Sequence, residues 1–182
     1  MNRNVLKTHI AVPAERIPYP GKIRVLASSG CPAFFSADVT IKDNVVHIYY
    51  STGEFLPLKD AGLLIPEKAL MVMKNAVRNQ NMARDWMWYP EEYVLSADTV
   101  WVDSAGSVRF LWIPDSIKQV GHRRLYGLAE QMKSFTSEEG KEVLTRLQQN
   151  LFLKPCLPQQ ILSGIDRMMM ELREYSSYSF IK

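Results

Sequence analysis

The chain has 182 residues, 47% of them hydrophobic and 23% charged, with a formal net charge of +3. These values exclude disordered, collagen-like and mucin-like classes, and the length suits one domain with a sizeable core. Basic and acidic residues are interspersed throughout, so no basic block marks a nucleic-acid binder.

Residues 5–12 read as a strand. Pro13, Pro18 and Pro20-Gly21 then punctuate the chain, and residues 22–28 read as a short helix stopped near Gly30. Val39, Ile41, Val46, Ile48 and Tyr50 alternate around Lys42-Asp43-Asn44. That pattern predicts a hairpin over 38–50 with one buried face. Residues 55–58 and 63–65 read as a linking segment with some helical character.

Pro66 occupies a favourable first-turn position, and Glu67 complements the helix dipole. Leu70, Met73 and Val77 carry that helix to about Met82, and Trp86-Met87-Trp88-Tyr89-Pro90 ends it. Residues 99–102 and 108–113 read as strands joined by a turn-forming Asp103-Ser104-Ala105-Gly106-Ser107. The C-terminal third is helical. Leu125, Leu128 and Met132 form one stripe, and Thr136 with Glu139 reads as a capping box opening a helix with Leu144, Leu147 and Leu151. Pro155 and Pro158 separate it from a last helix carrying Ile161, Ile165, Met168 and Leu172.

Chemical motifs are sparse. Cys31 and Cys156 form no CxxC and read as free thiols of a reducing cytoplasm. His9, His47 and His122 are isolated in sequence and lie in no HExxH motif. No phosphate-binding glycine loop and no GxSxG elbow occurs. The reading therefore assigns no catalytic residue, no metal and no cofactor, and expects a protein that is not an enzyme. Glu91-Glu92 and Glu138-Glu139 read as surface or helix-start charges. Arg123-Arg124 offers a grip for phosphate or an acidic partner, against the simpler reading of exposed charges at a helix start. Trp86, Trp88, Tyr89 and Tyr93 suit either a stacking platform or core and interface packing. Met168-Met169-Met170 suits an adaptable groove, with Met168 already on the core stripe. The N-terminal residues do not read as a signal peptide, and the apolar runs fall short of the roughly 20 residues that span a bilayer.

The order of elements carries more information. A hairpin ending in VHIYY precedes STGEFLPL, the helix PEKALMVMKNAVRNQNMA and the block YPEEYVLSADTVWVDSAGSVRFLWIP. This resembles the stretch of a protein kinase from the hinge, through the first long C-lobe helix, to the catalytic loop and the hairpin after it. Under that resemblance the catalytic-base position falls on Val94, the metal-binding Asn on Thr99 and the magnesium Asp on Trp112. None of these side chains positions a metal or a proton for phosphoryl transfer. Tyr19–Leu26, His47–Gly53, Tyr93–Pro114 and the C-terminal helices also resemble an uncharacterised bacterial domain found N-terminal to forkhead-associated domains in Gram-positive bacteria. The layout is similar to the EssB/YukC-type pseudokinase domain of type VII secretion.

The expectation is thus an α+β, reduced and degenerate kinase-like fold spanning 1–182. Residues 1–60 form a small β-rich part, and 61–182 a mostly helical part with a hairpin near 99–113. Val94, Thr99 and Trp112 are expected to cluster at the mouth of an inter-lobe cleft. The resemblance implies a cytoplasmic, non-catalytic interaction or scaffolding domain coupled to a phosphothreonine-reading module. Its partner is a protein, with a homo-oligomer left open, no nucleic acid and no membrane span. The candidate surface is Trp86, Trp88, Tyr89, Arg123 and Arg124. The alternative is a nucleotide binder or enzyme in which Glu92, Asp98 and Asp103 converge only in the fold.

Overall fold

A computed structural model describes residues 7–17, 19–28, 30–114, 123–153 and 156–179. The fold is α+β, with two small antiparallel sheets and five α-helices among the described residues. Strand β1 (Lys7–Pro13) and helix α1 (Pro20–Ala27) come first. The hairpin β2 (Ala37–Lys42) and β3 (Val45–Ser51) follows. Its turn residues Asp43 and Asn44 have φ of 51° and 61°, the paired left-handed geometry that matches strand twist and that Asp and Asn tolerate.

The sheet order is β1-β3-β2. The sequence reading found both the strand and the hairpin but not that β1 pairs along the whole of β3, from Lys7 opposite Ser51 to Pro13 opposite Val45. On β3, Val46, Ile48 and Tyr50 are buried, while the alternate residues lie on the other face.

The stretch expected as a linker contains strand β4 (Leu56–Pro57) and a 3-10 turn over Leu58–Asp60. Leu56 pairs with Val102 and Pro57 with Trp101. Two residues are too short to show alternation, so sequence periodicity had nothing to detect. The second sheet is completed by β5 (Val100–Val102) and β6 (Val108–Phe110). The expected strand 108–113 is shorter, β6 ending at Phe110, although the Leu111 N–H still donates to the Thr99 carbonyl at 2.7 Å in the same antiparallel register. Phe34, just before β2, forms an isolated bridge with Phe110 of β6, and β4 pairs across the position-60 boundary, so both parts share one buried core.

Helix α2 (Pro66–Asp85) runs three residues past the expected Met82. Ala69, Leu70, Val72, Met73, Ala76, Val77 and Ala83 are buried along it. Asn75 and Asn79, one helical turn apart, donate to the carbonyls of Gly106 (2.8 Å) and Val108 (2.6 Å). These bonds fix the β5–β6 hairpin to α2 and satisfy carbonyls that the short sheet leaves open. α2 also packs against α3 (Arg123–Met132), α4 (Glu138–Leu147) and α5 (Pro158–Ser179).

The entry to α4 corrects the capping-box reading. Ser137 is the N-cap, its Oγ accepting from the Gly140 N–H at 3.2 Å. Thr136 is buried, and its hydroxyl donates back to the Met132 carbonyl at 2.6 Å. Gly140 sits in the first turn because a Cβ there would lie 2.2 Å from Thr136 Cγ2. Met168 and Met169 are buried and Met170 is 59% exposed, so two of the three methionines are core rather than groove.

Gly140→Ala should therefore destabilise the protein by about 1–3 kcal/mol through overpacking, despite alanine's higher helix propensity. A lowered urea midpoint with an unchanged slope is the expected result.

Candidate functional site

The aromatic block after α2 folds into a junction between the two sheets. Trp88, Phe34, Tyr93, Phe110 and Trp112 are all nearly or wholly buried. Phe34 stacks on Trp88 at 4.3 Å between centroids and meets Tyr93 edge-on at 5.2 Å. Trp88 meets Trp112 edge-on at 5.5 Å. Such offset and edge-to-face contacts add to simple area burial.

Of the three kinase-like positions, Thr99 and Trp112 are buried and Val94 is half-buried. Thr99 is 3% exposed. Its hydroxyl donates to the Val94 carbonyl at 2.9 Å and accepts from the Ser96 N–H at 3.0 Å. Thr99 thereby fixes the loop leading into β5. Trp112 is fully buried. Its indole N–H donates to the Glu92 carbonyl at 2.9 Å, and its own carbonyl accepts from the Tyr50 hydroxyl at 2.5 Å. Each of these side chains holds backbone in place.

The candidate surface divides. Trp86 is 47% exposed and Tyr89 46%, whereas Trp88 is fully buried and Arg124 only 2% exposed. The side chain of Arg123, like His122, lies outside the described residues. Trp88 and Arg124 are thus corrected from surface to interior. Trp88 turns inward because the left-handed Met87 before it reverses the chain. Arg124 is drawn in by the Tyr93 carbonyl, to which Nη2 donates, and by the Tyr93 ring, 4.3 Å from the guanidinium carbon. Among the described residues, its Nε and Nη1, the Tyr93 hydroxyl and the Trp88 indole N–H have no hydrogen-bond partner. Burial lowers the affinity of Arg124 for its proton, and the neighbouring Tyr93 opposes that shift.

The turn after α2 is the most distinctive local geometry. The Trp88 N–H donates to the Ala83 carbonyl at 2.8 Å, and the Met87 N–H to the Arg84 carbonyl at 2.9 Å. This pair of bonds is the Schellman closure of a helix, which places one residue in the left-handed region and is most often built with glycine. Here that residue is Met87, at φ 58° and 65% exposed. Trp88 and Ala83, the positions of the apolar pair that usually accompanies the motif, are both fully buried.

Lys22 on α1 holds this turn, a role the sequence did not reveal. Its ammonium donates to the Met87 carbonyl, pairs with Glu92 Oε2 at 3.0 Å and lies 4.9 Å from the Trp88 ring and 5.8 Å from that of Tyr89. The Glu92 side chain is only 7% exposed, which corrects its reading as a surface charge. Glu92 also accepts from the Tyr89 N–H at 2.8 Å. Lys22 and Glu92 are 70 positions apart by their numbering, so no local pattern links them.

The three acidic residues weighed as a convergent set have separate partners. Asp98 pairs with Lys59 at 2.6 Å in an exposed position, and Asp103 accepts from the Ser107 N–H at 2.7 Å within its own turn. Among the described residues no group of three or more His, Cys, Asp and Glu is placed to hold a metal. Cys31, buried, and Cys156, half-buried, are free thiols. Burial raises the pKa of Cys31 above that of an ordinary thiol. No helix among the described residues is long and apolar enough to cross a membrane.

No protein-family model matches the chain, and no curated protein matches it. Among solved structures, the Staphylococcus aureus ESSB cytoplasmic fragment is similar over 92% of this chain and 98% of that one, at 16% identity and a TM-score of 0.48.

The Tyr50 hydroxyl must remain protonated to donate to Trp112, and burial raises its pKa. The unfolded chain loses that proton near pH 10. Above that pH the unfolded state binds fewer protons than the native state, so stability falls as pH rises. Tyr50→Phe should lower stability at pH 7 by about 0.5–1.5 kcal/mol and flatten the decline above pH 10, both read from urea midpoints across pH.

Proposed function

We propose that this chain is a non-catalytic protein-interaction domain that binds its partner through the exposed cap Trp86, Met87 and Tyr89. The observation that carries this reading is Met87. A non-glycine residue in left-handed backbone costs about 1–2 kcal/mol, yet Met87 occupies that position and exposes an adaptable thioether. Its neighbours Trp86 and Tyr89 expose about half of their large rings. Aromatic residues and methionine are the types enriched at interface centres. The cap rests on a buried aromatic base and on Lys22, so its backbone is held before any partner arrives.

The resemblance of the sequence to the domain that precedes forkhead-associated modules, and to the EssB/YukC-type layout, supplies the setting. Within this proposal the chain is a cytoplasmic scaffold of a bacterial signalling or secretion system. Its kinase-like ancestry survives in the order of elements alone. Thr99 and Trp112 serve the backbone where an active kinase needs metal ligands.

The proposal is tested with wild type, Trp86→Ser and Tyr89→Ser as immobilised baits in extracts of the native host. A partner recovered by wild type and lost with both variants, at unchanged thermal midpoint, is the expected outcome. Identical recovery by all three baits would sink it. A thermal shift of several degrees with ATP or GTP and magnesium would instead favour the nucleotide-binding alternative. Met87→Gly should stabilise the domain by up to about 1 kcal/mol, since glycine removes the left-handed penalty, while weakening capture of the same partner.

A further inference from the structure

We infer that His9 and His47 form a two-histidine site for a late first-row divalent metal on the outer face of the first sheet. The two lie 38 residues apart on the antiparallel strands β1 and β3. His9 stands opposite Tyr49 and His47 opposite Ala11, so the two imidazoles are diagonal neighbours on one face. His9 Nε2 and His47 Nδ1 are 3.1 Å apart, and the rings lie parallel within 7°. Tyr49 stacks on His9 at 4.5 Å between centroids.

Without metal one ring donates its N–H to the other. Moving that proton to the far nitrogen of its own ring leaves both facing nitrogens with a lone pair. No redox step or extra reactant is involved. A metal about 2.1 Å from each nitrogen, the usual imidazole distance, would subtend about 95° between them once both rings turn their lone pairs toward it, because the rings now face each other nearly end to end, 3.1 Å between nitrogens and 5.3 Å between centroids. That angle is close to the one between adjacent ligands of a square-planar or octahedral centre. Neutral imidazole suits nickel, copper and zinc, whereas magnesium and calcium prefer oxygen donors. His9 is exposed and His47 partly so, so the metal reaches the pair from solvent and keeps water at its remaining positions. Bridging strands so distant in sequence, the metal would bind the folded sheet in preference to the unfolded chain.

The test is calorimetric titration of the full chain with nickel(II) and zinc(II), using His9→Asn and His47→Asn as variants. Both substitutions lie on the outer face of the sheet, and circular dichroism checks that the fold is kept. The expected result is one metal per chain for wild type, an affinity reduced roughly tenfold or more in each variant, and a metal-dependent rise in thermal midpoint seen only in wild type. Equal affinity in wild type and both variants would overturn the site. So would the absence of binding to wild type, or binding lost on substitution of Cys31 or Cys156 but not of the histidines.

Discussion

Trp112 is the residue on which the two sheets depend. Its carbonyl is claimed by Tyr50 from the first sheet, its indole N–H by the loop at Glu92, and its ring by Trp88 at the end of α2. A buried indole N–H or carbonyl left without a partner costs about 1–3 kcal/mol, so each of these bonds restricts where its neighbour can sit. The geometry of the junction follows from satisfying one large side chain in a place that excludes water.

The polar groups beneath the cap obey the same constraint less completely. Lys22 reaches the Met87 carbonyl and Glu92 at once, which offsets the cost of desolvating an ion pair. Among the described residues, Arg124 has one backbone acceptor and an aromatic face, and two of its nitrogens have no hydrogen-bond partner. The exposed apolar turn at Met87 is built directly on this rigid layer, which connects the packing of the core to the proposed interaction surface.

The hairpin over 38–50 was legible because strict alternation around Asp43-Asn44 fits one strand-turn-strand geometry. The start of α2 was legible because proline has few compatible positions in a helix. Strand β4 was not, since two residues carry no period. The capping reading at Thr136 missed by one residue because Thr136 and Ser137 both carry hydroxyls, and the packing of Thr136 against Gly140 decides between them. The aromatic block 86–93 was recognised as important. Which rings face inward was not, because the left-handed turn at Met87 reverses the direction of the chain between Trp86 and Trp88.

By itself the sequence determined an α+β chain, the order of its main elements and the absence of familiar catalytic motifs. These are properties of local spacing and of residue type, and local physics reads them. Only the tertiary structure decided that Lys22 clamps Glu92 across two elements, that Arg124 is buried and that His9 faces His47 across a strand pair. Those pairings depend on strand register and helix placement. These in turn follow from burying the whole apolar set at once, which no local segment encodes.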